Sequence, residues 1–276
     1  MKRKSIHTKF IVMVVYLLWT SLPSLNAEEY THIQALFDSI KECRNDSMKI
    51  AMNVRLTQKI SALLEDPSSF DNPFNQLYNL GKIYSDDKVV RIYTWSFPLE
   101  DKSYQYGGFI QYRQKGVVTT TPLQIAGEPI VPAENGKIDN KHWYGALYYK
   151  VFKVKKKREI YYIALGWSGF NAATDFKIIE PIQFAKNGKM QNMGKMVFKE
   201  TGRKSPFRII LEYNSDGKVA LDFDSQKGKI LFDHLSPIDP IYTGIRSYYG
   251  PDFTYDAFIL KKGDWYFTEN IDARNK

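Results

Sequence analysis

Apolar positions along this chain change their period once. From Ile33 to Leu63 they recur at the 3.6-residue spacing of a helix face. Ile33, Leu36, Phe37 and Ile40 form one stripe, Met52, Leu56, Ile60 and Leu63 a second, and Asn45-Asp46-Ser47 separates them. Thr31 and Gln34 have the spacing of a capping box, which predicts that the first helix starts there. Cys43 falls on the first stripe and is expected to be a buried thiol. Asp66-Pro67 stops the second helix. Residues 67–75 are rich in Pro, Ser, Asp and Asn and read as a connection, within which Asn72-Pro73 predicts a short helix ending at Gly81.

Beyond Gly81 the period drops to two. Val, Ile, Tyr, Phe and Trp alternate with polar residues, and short turn clusters divide the runs. Strands are expected at 88–97, 104–114, 117–125, 142–153, 159–167, 176–184, 195–199, 254–260 and 265–268. Residues 207–235 read as three further strands in an antiparallel meander, turning at Ser215-Asp216-Gly217 and Gln226-Lys227-Gly228. The run 160–167 is apolar on both faces, so it is placed centrally in a sheet covered on both sides.

The fold class that follows is mainly β: antiparallel meander sheets folded as a sandwich or open barrel, with a short N-terminal helical segment. An incomplete β-propeller is the alternative, but the phrase shared by residues 85–89 and 215–219 is not repeated between them. Charges populate both strand faces, which argues against an outer-membrane barrel.

The first 27 residues carry a different message. Lys2, Arg3, Lys4 and Lys9 precede the apolar run 10–19, and Leu25 and Ala27 stand three and one residues before Glu28. That is the pattern of a cleaved secretory signal peptide. The apolar run is short of the roughly 20 residues a bilayer span needs. The expected organisation is therefore a leader at 1–27, a helical segment and connection at 28–80, and an all-β body at 81–276. The protein is expected to be exported to the periplasm, cell surface or medium, with no stable membrane span after cleavage.

Charge changes little else. The chain has 39 Lys and Arg against 30 Asp and Glu. Four of the basic residues lie in the leader, so the remainder is only mildly basic and gives no reason to expect a nucleic-acid partner. One Cys in 276 residues excludes an internal disulfide framework.

Standard catalytic and cofactor motifs are absent, and neither a cofactor nor a metal is expected. Residues 166–170 approach a nucleophile elbow, but Phe170 replaces its last Gly, so Ser168 reads as a loop residue. Asp233, His234, Asp252 and Asp256 form the one cluster with acid–base potential. Asp233 and His234 are adjacent on a strand and so point to opposite faces. The basic run 153–158 reads as a solvated hairpin tip. Trp167, Tyr242, Tyr248 and Tyr249 are candidates for stacking on a glycan or peptide, the last three in the connection 236–252.

Five phrases carry a family resemblance: residues 66–74 (DPSSFDNPF), 90–97 (VRIYTWSF), 161–168 (YYIALGWS), 231–237 (LFDHLSP) and 249–258 (YGPDFTYDAF). The chain resembles exported β-rich proteins of Bacteroides-type Gram-negative anaerobes over most of its length. That resemblance implies source and compartment and names no activity. Function is therefore expected to be non-enzymatic binding or scaffolding in the envelope, of glycan or peptide through loop aromatics. The alternative is a hydrolase of envelope polymers or nutrients. A hydrolase requires Asp233 or His234 to converge with Asp252 and Asp256 in one cleft, whereas binding requires an open aromatic shelf.

Overall fold

The computed structural model describes residues 22–125 and 131–271, so all but the last six residues of the expected leader lie outside it. Helix α1 (Leu22–Glu42) starts well before Thr31. The Thr31 hydroxyl donates to the Ala27 carbonyl at 2.9 Å, one turn back inside the helix, so the expected capping box does not form. Ala27-Glu28-Glu29-Tyr30 simply continues the helix backwards. Cys43 lies just past the end of α1 and is only half-buried, which corrects the expected buried thiol.

Helix α2 (Asp46–Leu63) starts where Asn45 caps it, the Asn45 side chain accepting from the Met48 amide. The short helix expected at 72–81 is absent. A 3-10 turn at Pro67–Phe70 replaces it, capped by Asp66. Phe74 sits at φ +46, which no right-handed helix accommodates.

The strands are β1 (Gly81–Tyr84), β2 (Val90–Pro98), β3 (Tyr104–Gln114), β4 (Val117–Leu123), β5 (Leu147–Lys156), β6 (Glu159–Gly169) and β7 (Thr174–Phe184). They continue as β8 (Met190–Met193), β9 (Phe198–Lys199), β10 (Ile209–Asn214), β11 (Leu221–Asp224), β12 (Lys229–Pro237), β13 (Tyr249–Lys261) and β14 (Asp264–Thr268). Three sheets result, ordered β1-β2-β3-β4, then β10-β7-β6-β5 with β8 also on β7, then β11-β12-β13-β14-β9. Pairing is antiparallel except between β14 and β9. The protein is mainly β, with no closed barrel.

Alternation along the strands explains the layering. In β2, Tyr93, Trp95 and Phe97 face the helices and pack with Ile33, Phe37, Leu56 and Ile60. Val90 and Ile92, on the opposite face, meet Val151, Tyr162, Ala164 and Ile178 of the second sheet. The other face of that sheet, with Tyr161, Ile163, Leu165 and Ile179, packs on Ile230, Phe232, Phe258 and Trp265 of the third. Helices and three sheets thus stack as layers, and β6 is covered on both sides as its sequence requires.

The first strands of successive sheets also lie side by side. Ser85 bridges Val151 in parallel, and the Tyr149 hydroxyl donates to the Leu221 carbonyl at 3.0 Å. This neighbour relation is common to blades of a propeller, but three sheets do not close a ring.

One expected meander is split. Strand β10 pairs with β7, Ile209 opposite Ile179, so of the three expected strands only β11 and β12 stay together, in a meander that continues through β13 and β14. Gly217 does not take the positive φ of a tight hairpin turn, and the Ser215 amide donates to the Ala173 carbonyl between β6 and β7. The turn cluster is therefore a crossover between sheets.

The basic run closes the β5–β6 hairpin as expected, with Lys157 at φ +55. Lys153 meets Asp87 at 3.2 Å and Lys156 meets Asp264 at 2.7 Å, so part of its charge is neutralised by neighbouring sheets. Among the described residues, no helix is long and apolar enough to cross a membrane.

Candidate functional site

Strand pairing alone brings His234 to Asp256. Phe232 and His234 are two apart on β12 and share a face, and Asp256 of β13 lies opposite Phe232. Register is regular up to Asp233 opposite Tyr255 and resumes at Leu235 opposite Pro251. Between these points the single residue His234 faces Asp252, Phe253 and Thr254. This irregularity is a β-bulge, a device that re-aims side chains and is common beside functional sites.

The Asp252 carboxylate shapes the bulge by accepting from the Thr254 amide at 3.0 Å and its hydroxyl at 2.7 Å. Phe253, at φ +69, is 93% exposed. A bulky residue in that conformation is strained, and strain of this kind gathers at functional positions.

Within the bulge, His234 Nδ1 lies 2.8 Å from Asp256 Oδ2. Its Nε2 lies 3.9 Å from Asp252 Oδ2. Asp256 is buried, and its second oxygen accepts from the Asn270 amide at 3.2 Å. The hydrogen bond to Asp256 raises the His234 pKa above its ordinary value, helped by the charges of Asp256, Asp252 and Glu269 and opposed by desolvation. Asp252 is held below the usual carboxylate range: burial works against this, but the Thr254 bonds and His234 outweigh it. The arrangement is a clamp, an imidazole set between two carboxylates that favour its protonated, proton-donating form. Asp233 does not join it; its carboxylate accepts from the Ala220 amide at 2.7 Å.

The clamp opens onto a cleft of about 380 Å³ between β10 and the face of β12 and β13. Ile209 to Glu212 form one wall, Phe232, Phe258 and Phe267 the apolar floor, and Arg203 and Arg246 stand at its rim. Arg203 pairs with Glu134 and, at 3.2 Å, with Glu200. Arg246 lies over the Tyr249 ring at 4.5 Å. An apolar floor with a few convergent polar groups is the usual form of a ligand site.

The expected aromatic candidates are placed differently from a shelf. Tyr242 and Tyr248 stack on each other, centroids 4.0 Å apart. Tyr249 is buried, its hydroxyl accepting from the Gly244 amide. Trp167 does not line the cleft; its Nε1 donates to Asp175 at 3.0 Å and its ring meets Tyr104 edge-on. Strands β12 and β13 extend into the expected connection and shorten it to residues 238–248. Its exposed isoleucines are Ile238 at 74%, Ile241 at 77% and Ile245 at 50%. Neither these isoleucines nor Phe253 was singled out by sequence, although three isoleucines in a Pro- and Gly-broken segment were a readable signal.

Ser168 is buried within β6, and the strand runs on to Gly169 without turning into a helix. Ser168 is therefore a strand residue, where a loop was expected. Asp222 pairs with Lys150, and Asp224 accepts from the Gln226 and Lys227 amides. Among the described residues, no group of three or more His, Cys, Asp and Glu is placed to hold a metal.

The clamp has a pH signature. A histidine whose pKa is raised on folding contributes stability that is fully present below its unfolded value, about 6.5, and is lost as pH rises through the folded value. His234→Gln is therefore expected to lower the urea midpoint most near pH 6, the gap to the parent narrowing from about pH 6.5 upward. A gap that stays constant over that range would mean that His234 is not charged in the fold.

Comparisons with family models, curated proteins and solved structures gave no match for this chain.

Proposed function

We propose that this is an exported binding protein that takes an extended peptide into the cleft between its second and third sheets. One observation carries the reading: the cleft runs along Ile209 to Glu212 of β10, a strand paired on one side only among the described residues. A strand edge offers main-chain hydrogen bonds to an incoming extended segment, and pockets beside it select alternate side chains. Phe232, Phe258 and Phe267 supply such an apolar floor. The 238–248 loop reaches the cleft through Arg246, while its exposed isoleucines lie outside the cleft lining. Export rests on the basic and apolar pattern of the first 27 residues.

A displayed peptide library should select ligands with alternating apolar residues, and a glycan array should select none. Arg246→Ala, at an exposed rim position, should weaken a selected peptide about tenfold, the worth of one charge-assisted hydrogen bond. A glycan hit without peptide hits overturns the reading, and so does unchanged peptide affinity in the variant.

A hydrolase is the second reading, because His234, Asp252 and Asp256 do converge. In it His234 acts as proton donor, with Asp256 orienting the imidazole. Turnover of a bound ligand, abolished by His234→Gln with binding retained, would replace the first reading by this one.

A further inference from the structure

We infer that the outward face of α2 rests on an anionic lipid surface, an interaction separate from the cleft and its ligand. Helix α2 is apolar on two sides. Leu56 and Ile60 are buried against the first sheet, while Ile50 is 41% and Val54 54% exposed on the other side, and Met48, 59% exposed, lies on the flank that carries Arg55 and Lys59. Positions 50 and 54 are one turn apart, and exposed Ala51 lies between them.

Cations accompany this stripe. Arg44, Arg55 and Lys59 are exposed. Lys49 is committed to the fold, bonded to the Pro98 carbonyl at 2.8 Å and 3.5 Å from Asp46. Asp46 is the only carboxylate from residue 44 to residue 63, and Glu42 and Glu65 flank the stretch in sequence. A helix with exposed aliphatic groups and basic neighbours lies in the plane of a membrane interface, its cations drawn to anionic headgroups. A second copy of the same face fits less well, since it would set Arg55 and Lys59 against like charges.

The test is co-sedimentation of the protein, as the cell exports it, with phosphatidylglycerol-rich vesicles and with pure phosphatidylcholine vesicles. Binding is expected to the first only and to fade at high salt. Arg55→Gln with Lys59→Gln should reduce it about 25-fold, at about fivefold per cation. Val54→Glu should reduce it by more than about tenfold. Both variants alter exposed positions, and unchanged circular-dichroism melts would show that they fold. Equal binding to both vesicle types, binding that both variants retain, or a dimer in sedimentation velocity that Val54→Glu dissolves would each overturn the proposal.

Discussion

Arg91→Ala is expected to cost about 4 kcal/mol of folding stability and to lower the melting temperature by about 8–16 °C. Arg91 is 1% exposed on β2. Its Nη1 donates to the Ser69 and Phe70 carbonyls at 2.9 and 2.7 Å. Rings enclose the guanidinium, Tyr84 at 4.4 Å, Tyr93 at 4.8 Å and Phe74 at 5.4 Å. It forms no ion pair among the described residues, so carbonyl oxygens and ring faces stabilise its charge.

Truncation would orphan carbonyls at about 1–3 kcal/mol each, and the space left behind adds to that. The same turn is held by Gln111, whose Nε2 donates to Ser69 Oγ at 2.9 Å, and Tyr93 donates to Gln111 at 2.8 Å. Losing Arg91 would therefore loosen the link between helices and first sheet without opening the cleft. Lysine should recover little, because it has neither the planar fork nor the delocalised charge that fits between rings. Urea and thermal denaturation measure the effect; a loss under about 1 kcal/mol would show that the turn holds without the arginine.

Arg91 shows how far hydrophobic patterning reaches. Alternation identified β2, yet an arginine in a strand reads as solvent-facing, and only the turn at Pro67–Phe70 makes it buried. Where pattern and pairing are both local, the two agree. β3 spans 104–114 as its alternation implies, and the β5–β6 hairpin closes at the basic run. Alternation sets which way a side chain points and not which strand lies alongside. Ile209 and Leu211 alternate equally well beside β11 or β7, and the crossover at Ser215 decides for β7. β1 and β8, at four residues each, are too short to show a period.

The candidate site divides along the same line. Opposite facing of Asp233 and His234 follows from their adjacency, but the contact of His234 with Asp256, 22 residues on, depends on register. Asp252 arrives only because β13 bulges, and a bulge leaves little trace in hydrophobicity. The tyrosines of the loop were visible as aromatics, but their stacking on one another depends on the backbone path between them.

A second buried arginine poses the opposite problem, since Arg208, immediately before β10, does have a carboxylate. Its Nε lies 2.8 Å from Glu180 Oε2, and the two are 1% and 0% exposed. The Tyr144 hydroxyl donates to the same carboxylate, and Arg208 also reaches the carbonyls of Ala133 and Met193. The group thereby ties β7 and β10 to the connection between β4 and β5. Glu180 Oε1 has no hydrogen-bond partner among the described residues, and burial pushes the carboxyl above its ordinary value in spite of Arg208. The attraction thus does not fully offset what burial costs, as is common for enclosed ion pairs.

Glu180→Leu alone should destabilise by about 3–5 kcal/mol, because it strands a buried guanidinium. Adding Arg208→Met removes that charge and should restore at least about 2 kcal/mol, the orphaned carbonyls preventing full recovery. Additive losses in the double variant would instead mean that Arg208 stabilises the fold through Ala133 and Met193 and that its carboxylate partner is incidental. In that event the start of β10, and the edge it offers to the cleft, is anchored by the bonds of Arg208 to these two carbonyls, with no share for Glu180.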